Sequence, residues 1–205
     1  MQLSYQHVFE PGTDNTAPPL LLLHGTGGNE HDLLDLGRQL SPGSALLSPR
    51  GDVIERGAPR YFRRFTEGVF DLDDVRARTD ALAGFIADAG RHYGFDVARL
   101  TAIGFSNGAN IAATLLQLRP ESLAAAVLLR AMVVLDQPAA TGSLAGKSVF
   151  LANGTHDPIV PDDHPARLAA HLRAGGADVS LHTVEAGHGL TRADIAAAQV
   201  FLSHQ

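Results

Sequence analysis

The sequence contains no cysteine among its 205 residues. This absence excludes disulfide bonds, a cysteine nucleophile and metal sites built from thiolates. It leaves the redox compartment open, because a chain without cysteine suits oxidising and reducing surroundings alike. Any nucleophilic chemistry must therefore use another side chain.

Positive charge and long apolar runs are also scarce. Lys and Arg number 16 against 22 Asp and Glu, which gives a formal net charge of −6. This balance argues against a nucleic-acid partner and against binding to anionic membranes. The longest apolar run, around residues 18–24, is too short to span a bilayer, and the first ten residues lack the features of a signal peptide. We therefore expect a cytoplasmic protein without stable membrane insertion.

Short apolar runs alternate with longer amphipathic ones, which indicates βαβ units. The length and a hydrophobic content of 45% favour one domain over residues 1–205. The pattern predicts an α/β fold, a three-layer sandwich with a mostly parallel sheet and helices on both faces. The predicted strands cover residues 3–9 (at an edge), 19–24, 45–49, 100–105, 125–129, 148–152 and 179–184, and the predicted helices cover 30–40, 71–93, 107–118, 163–174 and 192–202.

The segment "AIGFSNGAN" carries the first candidate for chemistry. Ser106 lies between Gly104 and Gly108, directly after a predicted strand and before a predicted helix. A nucleophile elbow needs two such bare positions, because its sharp bend leaves no room for a Cβ on either side. The motif alone is weak, but this context places the hydroxyl at the carboxyl edge of the sheet, where parallel sheets bind ligands. We therefore predict that Ser106 is a nucleophile.

A serine nucleophile needs a base, and the base needs an orienting acid. "VFLANGTHDPIVP" places Asp157 just beyond one predicted strand, and "LHTVEAGHGLTRAD" places His188 just beyond the next. Both fall on the same sheet edge as Ser106, in the order serine, acid, histidine. The rival side chains fit less well, because they precede the acid or belong to a strand or a helix: His156, His182, His164, His171, Asp162 and Asp163.

The stretch "LLLLHGTGGNEHD" is expected to complete an oxyanion hole. Its glycines allow a tight turn that aims the Thr26 amide inward, and the second donor is the amide of Asn107, the residue after the nucleophile. We expect His24 to support this loop and Asn29 to cap the following helix. The spacing matches no phosphate-binding motif, and the histidines form no metal-ligand motif, so we expect no cofactor and no metal.

A long segment, "GDVIERGAPRYFRRFTEGVF", is expected to shape the substrate pocket, because long loops in compact domains are usually functional. Its aromatic residues could wall an acyl pocket and its arginines could give the rim positive charge. Alternatively, the aromatic residues anchor the segment to the core while the arginines form surface ion pairs. Both interpretations stay open. The candidate pocket residues are Arg60, Phe62, Arg63, Arg64 and Phe65, with Met132, Ile159 and Leu190 from other loops.

Four motifs, "LHGTGGNEHDLL", "GFSNGANIA", "GTHDPIVP" and "AGHG", resemble the phospholipase/carboxylesterase branch of the α/β-hydrolases in order and spacing, over nearly the whole chain. The resemblance implies a serine carboxylesterase with the triad and oxyanion donors named above, and it allows a homodimer formed through an edge strand or a helix. Acyl-protein thioesterases have glutamine after the nucleophile, so Asn107 favours the small bacterial carboxylesterases.

The spacing also bears on substrate size. Between Ser106 and Asp157 the chain has room for one helix and two strands, which leaves no insertion for a cap domain. We therefore expect small, short-chain esters as substrates. The alternatives are a lysophospholipase or acyl thioesterase acting on longer chains, and a non-catalytic binding domain on a hydrolase scaffold.

Overall fold

Strands and helices alternate along the chain, and the structure, a computed structural model, describes residues 3–204. Two 3₁₀ turns, Val97–Arg99 and Pro120–Ser122, each precede a strand. The strands are β1 (His7–Glu10), β2 (Leu20–Leu23), β3 (Leu46–Pro49), β4 (Val53–Glu55), β5 (Ala58–Arg60), β6 (Arg64–Thr66), β7 (Val69–Phe70), β8 (Thr101–Phe105), β9 (Ala125–Leu129), β10 (Ser148–Gly154) and β11 (Asp178–Val184). The helices are α1 (Leu34–Leu40), α2 (Leu72–Tyr93), α3 (Asn107–Leu118), α4 (His164–Ala174) and α5 (Arg192–Leu202).

Seven of the strands form one sheet in the order β1-β3-β2-β8-β9-β10-β11. β1 pairs antiparallel with β3 at one edge, and every other neighbouring pair is parallel. The predicted edge strand is confirmed, although it occupies residues 7–10 and not 3–9. The carboxyl ends of the six parallel strands meet at one edge of the sheet, which is where open α/β sheets bind ligands.

The parallel strands bury both faces because helices cover the sheet on each side. All four leucines of β2 are fully buried. Leu21 and Leu23 pack in the cluster that includes residues of α2, α3 and α4, whereas Leu20 and Leu22 pack in the cluster that includes residues of α1 and α5. Successive side chains of a strand point to opposite faces of the sheet. Where helices cover both faces, every position of the strand is buried, and its sequence is a continuous apolar run. The predicted three-layer α/β architecture is confirmed.

Helix α2 begins and ends where the sequence predicts. Asp71 caps its N-terminus by accepting a hydrogen bond from a first-turn amide, and Gly94 ends it with a left-handed φ of 78°. Leu72, the first residue of the helix, is 46% exposed, whereas Phe85 is buried in the core cluster. The buried face of α2 includes Val75, Leu82, Phe85, Ile86 and Ala89.

The helix predicted over residues 30–40 is shorter than expected, because α1 begins at Leu34. Asn29 does not cap it: the Asn29 Oδ1 accepts a hydrogen bond from the His31 amide at 2.9 Å, within a turn. Glu30 is buried and accepts from Arg50 Nε at 2.5 Å. The polar residues before Leu34 thus form a turn anchored to the end of β3.

The long loop predicted over residues 51–70 forms two small hairpins, β4 with β5 and β6 with β7. Gly57 and Gly68 turn them with φ values of 86° and 73°. These strands have three residues or fewer, which is too short for a period-two pattern to identify them. The hairpins lie between β3 and α2 and bring several side chains to the candidate site.

Candidate active site

Ser106 stands at a sharp bend between β8 and α3, with φ 53° and ψ −115°. A Cβ added to Gly104 would come within 2.6 Å of the Ala109 backbone, and one added to Gly108 would come within 1.9 Å of the Leu23 carbonyl oxygen. No side chain fits at either position. The two glycines therefore permit the strained serine conformation that a nucleophile elbow requires.

The side chains predicted as nucleophile, acid and base lie together at the carboxyl edge of the sheet. His188 Nε2 is 2.9 Å from Ser106 Oγ, and His188 Nδ1 is 2.7 Å from Asp157 Oδ2. With the ring proton on Nδ1, His188 donates to Asp157 and accepts from the Ser106 hydroxyl. In such a chain of hydrogen bonds, an imidazole can remove the serine proton while a carboxylate fixes its tautomer.

Two backbone amides hold the carboxylate of Asp157. Its Oδ1 accepts from the amides of Ile159 at 2.8 Å and Val160 at 3.2 Å, while Oδ2 faces His188. The side chain is only 1% exposed. Hydrogen bonds to an ionised acceptor are short and strong, so they fix the orientation of this carboxylate.

The two predicted oxyanion donors line the same cavity as Ser106. Asn107 is the first residue of α3, so its amide has no acceptor within the helix and lies at the positive end of the helix dipole. Thr26 lies in the loop after β2, where Gly27 adopts a left-handed φ of 83° and donates its amide to the Pro59 carbonyl at 2.9 Å. Both amides are therefore candidates to bind a developing oxyanion.

The prediction that His24 supports this loop is confirmed. Its Nδ1 lies 2.6 Å from the Gly25 carbonyl oxygen, and its Nε2 accepts from the Gly51 amide at 2.9 Å. A neutral imidazole with its proton on Nδ1 satisfies both bonds. Burial lowers the pKa of His24, which favours this neutral form.

The hairpin segment, residues 51–70, forms hydrogen bonds to the side chains of both predicted oxyanion donors. Arg60 Nη1 donates to Thr26 Oγ1 at 2.6 Å, and the Tyr61 amide donates to Asn107 Oδ1 at 2.8 Å. Arg60 is 2% exposed and Tyr61 is 1% exposed. This part of the segment is therefore a buried wall of the site.

A cavity of about 210 Å³ adjoins Ser106 and His188. Four of the predicted pocket residues line it: Arg60, Arg64, Met132 and Ile159. Four further residues line the cavity that the sequence pattern does not indicate: Glu67, Phe70, Phe105 and Asn110.

The other four predicted pocket residues lie elsewhere, so that prediction is wrong for them. Phe62 is fully buried in the core, and Phe65 is 72% exposed. Arg63 is exposed and forms an ion pair with Asp71 at 2.9 Å. Leu190 packs into the core cluster on the α1 and α5 face of the sheet. The order of residues in so short a hairpin does not reveal which side chains face the cavity.

Arg130, which the sequence pattern does not indicate, holds the loop that carries His188. Its fully buried guanidinium donates from Nε to the Gly187 carbonyl at 3.2 Å and from Nη2 to the Gly189 carbonyl at 2.8 Å. Arg130 Nη1 also donates to the Ala152 carbonyl of β10 at 3.1 Å, and Nη1 and Nη2 donate to the carboxylate of Asp194. The one signal in the sequence is an arginine directly after the apolar strand "AAAVLL".

The rival histidines have other surroundings. His164 accepts from the Val133 amide at 3.1 Å, and His182 stacks on Phe150. Within residues 3–204, no group of three or more His, Asp or Glu side chains could hold a metal ion. Over the same residues, no helix combines the length and the apolar character needed to cross a membrane.

Comparisons with known proteins give concordant matches. Residues 67–205 match a family model described as Phospholipase/Carboxylesterase. MhqD of Bacillus subtilis (strain 168), which is named as a hydrolase, is 44% identical over 187 residues, covering 91% of this chain and 92% of its own. The crystal structure of the Bacillus cereus carboxylesterase has a TM-score of 0.95 and 43% identity, covering 98% of this chain and 94% of that one. The structure of YahD with malic acid has a TM-score of 0.91 and 32% identity, covering 99% of both chains.

Proposed function

The chain belongs to the phospholipase/carboxylesterase family of α/β-hydrolases, and we propose that it is a serine carboxylesterase acting on small, short-chain esters through an acyl-enzyme. The observation that carries the proposal is the unbroken chain of hydrogen bonds from Ser106 through His188 to Asp157. Together with a hydrolytic family, this arrangement favours covalent catalysis over a binding function.

In the proposed acylation step, Ser106 Oγ attacks the ester carbonyl carbon while His188 Nε2 takes the hydroxyl proton. The tetrahedral intermediate then collapses, the bond to the alcohol oxygen breaks, and His188 gives its proton to the departing alcohol. Asp157 stabilises the imidazolium that forms between these two transfers.

In the proposed deacylation step, His188 removes a proton from water, and the resulting hydroxide attacks the acyl carbon on Ser106. Collapse of the second tetrahedral intermediate releases the carboxylic acid and returns the proton to Ser106 Oγ. Both intermediates carry negative charge on the former carbonyl oxygen. The backbone amides of Thr26 and Asn107 are the proposed donors to it. The side-chain oxygens of the same two residues accept hydrogen bonds from Arg60 and from the Tyr61 amide, which favours a preorganised site.

The size of the cavity supports small substrates. Its volume of about 210 Å³ is below the ~300–1,000 Å³ typical of sites for drug-sized ligands. Between Ser106 and Asp157 lie α3, the 3₁₀ turn Pro120–Ser122, β9, a connecting loop and β10, so no inserted cap extends the cavity there. The relative YahD was solved with malic acid, a molecule of the size class that we propose.

The test is a rate comparison between the purified protein and its Ser106→Ala variant on a panel of acyl esters, thioesters and lactones. We expect the wild-type protein to hydrolyse short-chain esters fastest and the variant to lose activity by about 10⁴-fold or more. Fastest turnover of a long-chain thioester or lysophospholipid would favour the alternative functions, and no hydrolysis of any ester would contradict the proposal.

A further inference from the structure

We propose that the cavity beside Ser106 binds a carboxylate of the substrate, so that the preferred substrates are short esters with a free carboxylate, such as monoesters of small dicarboxylic acids. This inference rests on the proposed function, because the carboxylate would sit in the same cavity as the reacting ester. Several hydrogen-bond donors that line the cavity have no acceptor in the described chain.

Arg60 lines the cavity although its side chain is 2% exposed. Its Nε donates to the Phe62 carbonyl at 3.3 Å, and its Nη1 donates to Thr26 Oγ1 at 2.6 Å. Its Nη2 forms no hydrogen bond to any residue between 3 and 204. This Nη2 belongs to a charged group and has no acceptor in the described chain, so a ligand that supplies an ionised acceptor is favoured.

Two asparagines in the first turn of α3 add further donors. Asn107 Oδ1 accepts from the Tyr61 amide at 2.8 Å, and Asn110 Oδ1 accepts from the Met132 amide at 2.9 Å. These bonds fix the amide orientations and leave each Nδ2 as a donor. Asn107 Nδ2 is buried and unpartnered, and Asn110 Nδ2 has no hydrogen bond within the described chain. Both asparagines line the cavity.

Two arginines and two glutamates form one charged network beside the cavity. Arg64 is paired with Glu55 at 3.0 Å and with Glu67, the acidic residue of the lining. Arg60 shares Glu55, with Nε 3.2 Å from the carboxylate. Burial and the positive charge of Arg64 lower the pKa of Arg60, although Glu55 and Glu67 act to raise it. An arginine remains protonated in such a site, so it favours an anion.

A carboxylate is the ligand that these groups fit. Its two oxygens offer several acceptor positions to Arg60 Nη2 and the two asparagine Nδ2 atoms, and hydrogen bonds to an ionised acceptor are the strong ones. The partial positive charge at the N-terminus of α3 adds to the attraction. Because one cavity of about 210 Å³ would hold both the carboxylate and the reacting ester, the chain between them must be short.

The experiment compares kcat/KM for monomethyl succinate and dimethyl succinate, which share a carbon skeleton and a leaving group but differ in charge. We expect the wild-type protein to prefer the anionic monoester by about 10-fold or more. Arg60→Gln should reduce kcat/KM for the monoester by about 10- to 100-fold, with a much smaller effect on the diester. Succinate should inhibit diester hydrolysis, and its inhibition constant should rise by a similar factor in this variant.

Arg63→Gln is the matched control, because Arg63 belongs to the same segment but is exposed, pairs with Asp71 and does not line the cavity. It should leave the ratio of the two kcat/KM values unchanged. An equal fall for both esters in Arg60→Gln would mean that Arg60 only supports Thr26, and this would overturn the inference. So would a wild-type protein without preference for the monoester, a result that needs no variant to fold. A wild-type protein inactive on both esters would refute the proposed function as well.

Discussion

Arg130 and Asp194 form an ion pair that is fully buried, with Arg130 Nη2 2.7 Å from Asp194 Oδ2 and both side chains 0% exposed. A second bond, from Nη1 to Oδ1 at 3.0 Å, makes the pair bidentate. Because Arg130 also binds the carbonyls on either side of His188, the pair joins the first turn of α5 to the histidine loop. Arg130 adopts a left-handed φ of 60°, which these bonds hold in place.

Replacing Arg130 should therefore affect both stability and turnover. We expect Arg130→Met to lower the free energy of unfolding by about 3–5 kcal/mol, because it leaves the Asp194 carboxylate buried without a partner. We also expect kcat to fall more than KM rises, since the His188 loop loses its anchor. Denaturant unfolding and steady-state kinetics measure the two effects.

The control for that change is Arg91→Met, which removes an exposed ion pair with Asp88 within α2. Such pairs contribute little, so its unfolding transition should stay close to that of the wild type. An Arg130→Met protein as stable as the Arg91→Met protein would contradict the role assigned to the buried pair.

Acid should destabilise the protein partly through His24. Burial holds the pKa of His24 below its usual value, so the unfolded chain takes up a proton near pH ~6.5 while the folded chain remains neutral. Between these two pKa values the unfolded state binds more protons than the folded state. The stability that His24 contributes is therefore full above pH ~6.5, and it is lost as the pH falls toward the pKa of the folded state. His24→Gln should show a smaller loss of unfolding free energy between pH 7 and pH 5. Equal losses in the two proteins would exclude this explanation.

Two neighbouring carboxylates should respond very differently to amidation. Asp157→Asn should lower kcat by about 10⁴-fold, because an amide favours the wrong histidine tautomer. Asp162→Asn should be nearly silent, since Asp162 is exposed. Steady-state assays on a short-chain ester compare the two variants. If Asp162→Asn were the damaging change, the acid would belong to the other position.

Acyl-chain length gives a prediction that depends on the small cavity. We expect kcat/KM to peak at acyl chains of about two to six carbons and to fall beyond about eight, because each methylene left in water forgoes about 0.8 kcal/mol. A p-nitrophenyl ester series from acetate to palmitate, kept below micelle concentrations, measures this. A maximum at laurate or palmitate would support a longer-chain substrate, with exposed apolar side chains of the hairpin segment such as Phe65 and Val69 as its binding surface.

The parts of the site that could be predicted follow from local geometry and sheet topology. Gly104 and Gly108 allow the nucleophile elbow to be predicted, because a tight strand-to-helix bend excludes a Cβ at both positions. The proximity of Asp157 and His188 can be predicted, because the carboxyl ends of neighbouring parallel strands meet at one edge of the sheet. Each inference needs only the chain on either side of a strand end.

The parts that could not be predicted depend on contacts between distant segments. Arg130 acts on carbonyls at residues 187 and 189, and nothing in the adjoining sequence indicates that pairing. In the hairpins, Arg60 faces the cavity while Phe65 is exposed, because tertiary packing decides which side of a short strand is covered. The single domain, the homodimer and the cytoplasmic location stay predictions from the sequence.

The most direct measurement for the central claim is covalent labelling of the purified protein with a fluorophosphonate, followed by mass spectrometry of its peptides. The account predicts a stoichiometric label on Ser106, loss of ester hydrolysis in step with labelling, and no label on a folded Ser106→Ala variant. A label on another residue, or a Ser106→Ala variant that keeps even about a tenth of the activity, would contradict the account.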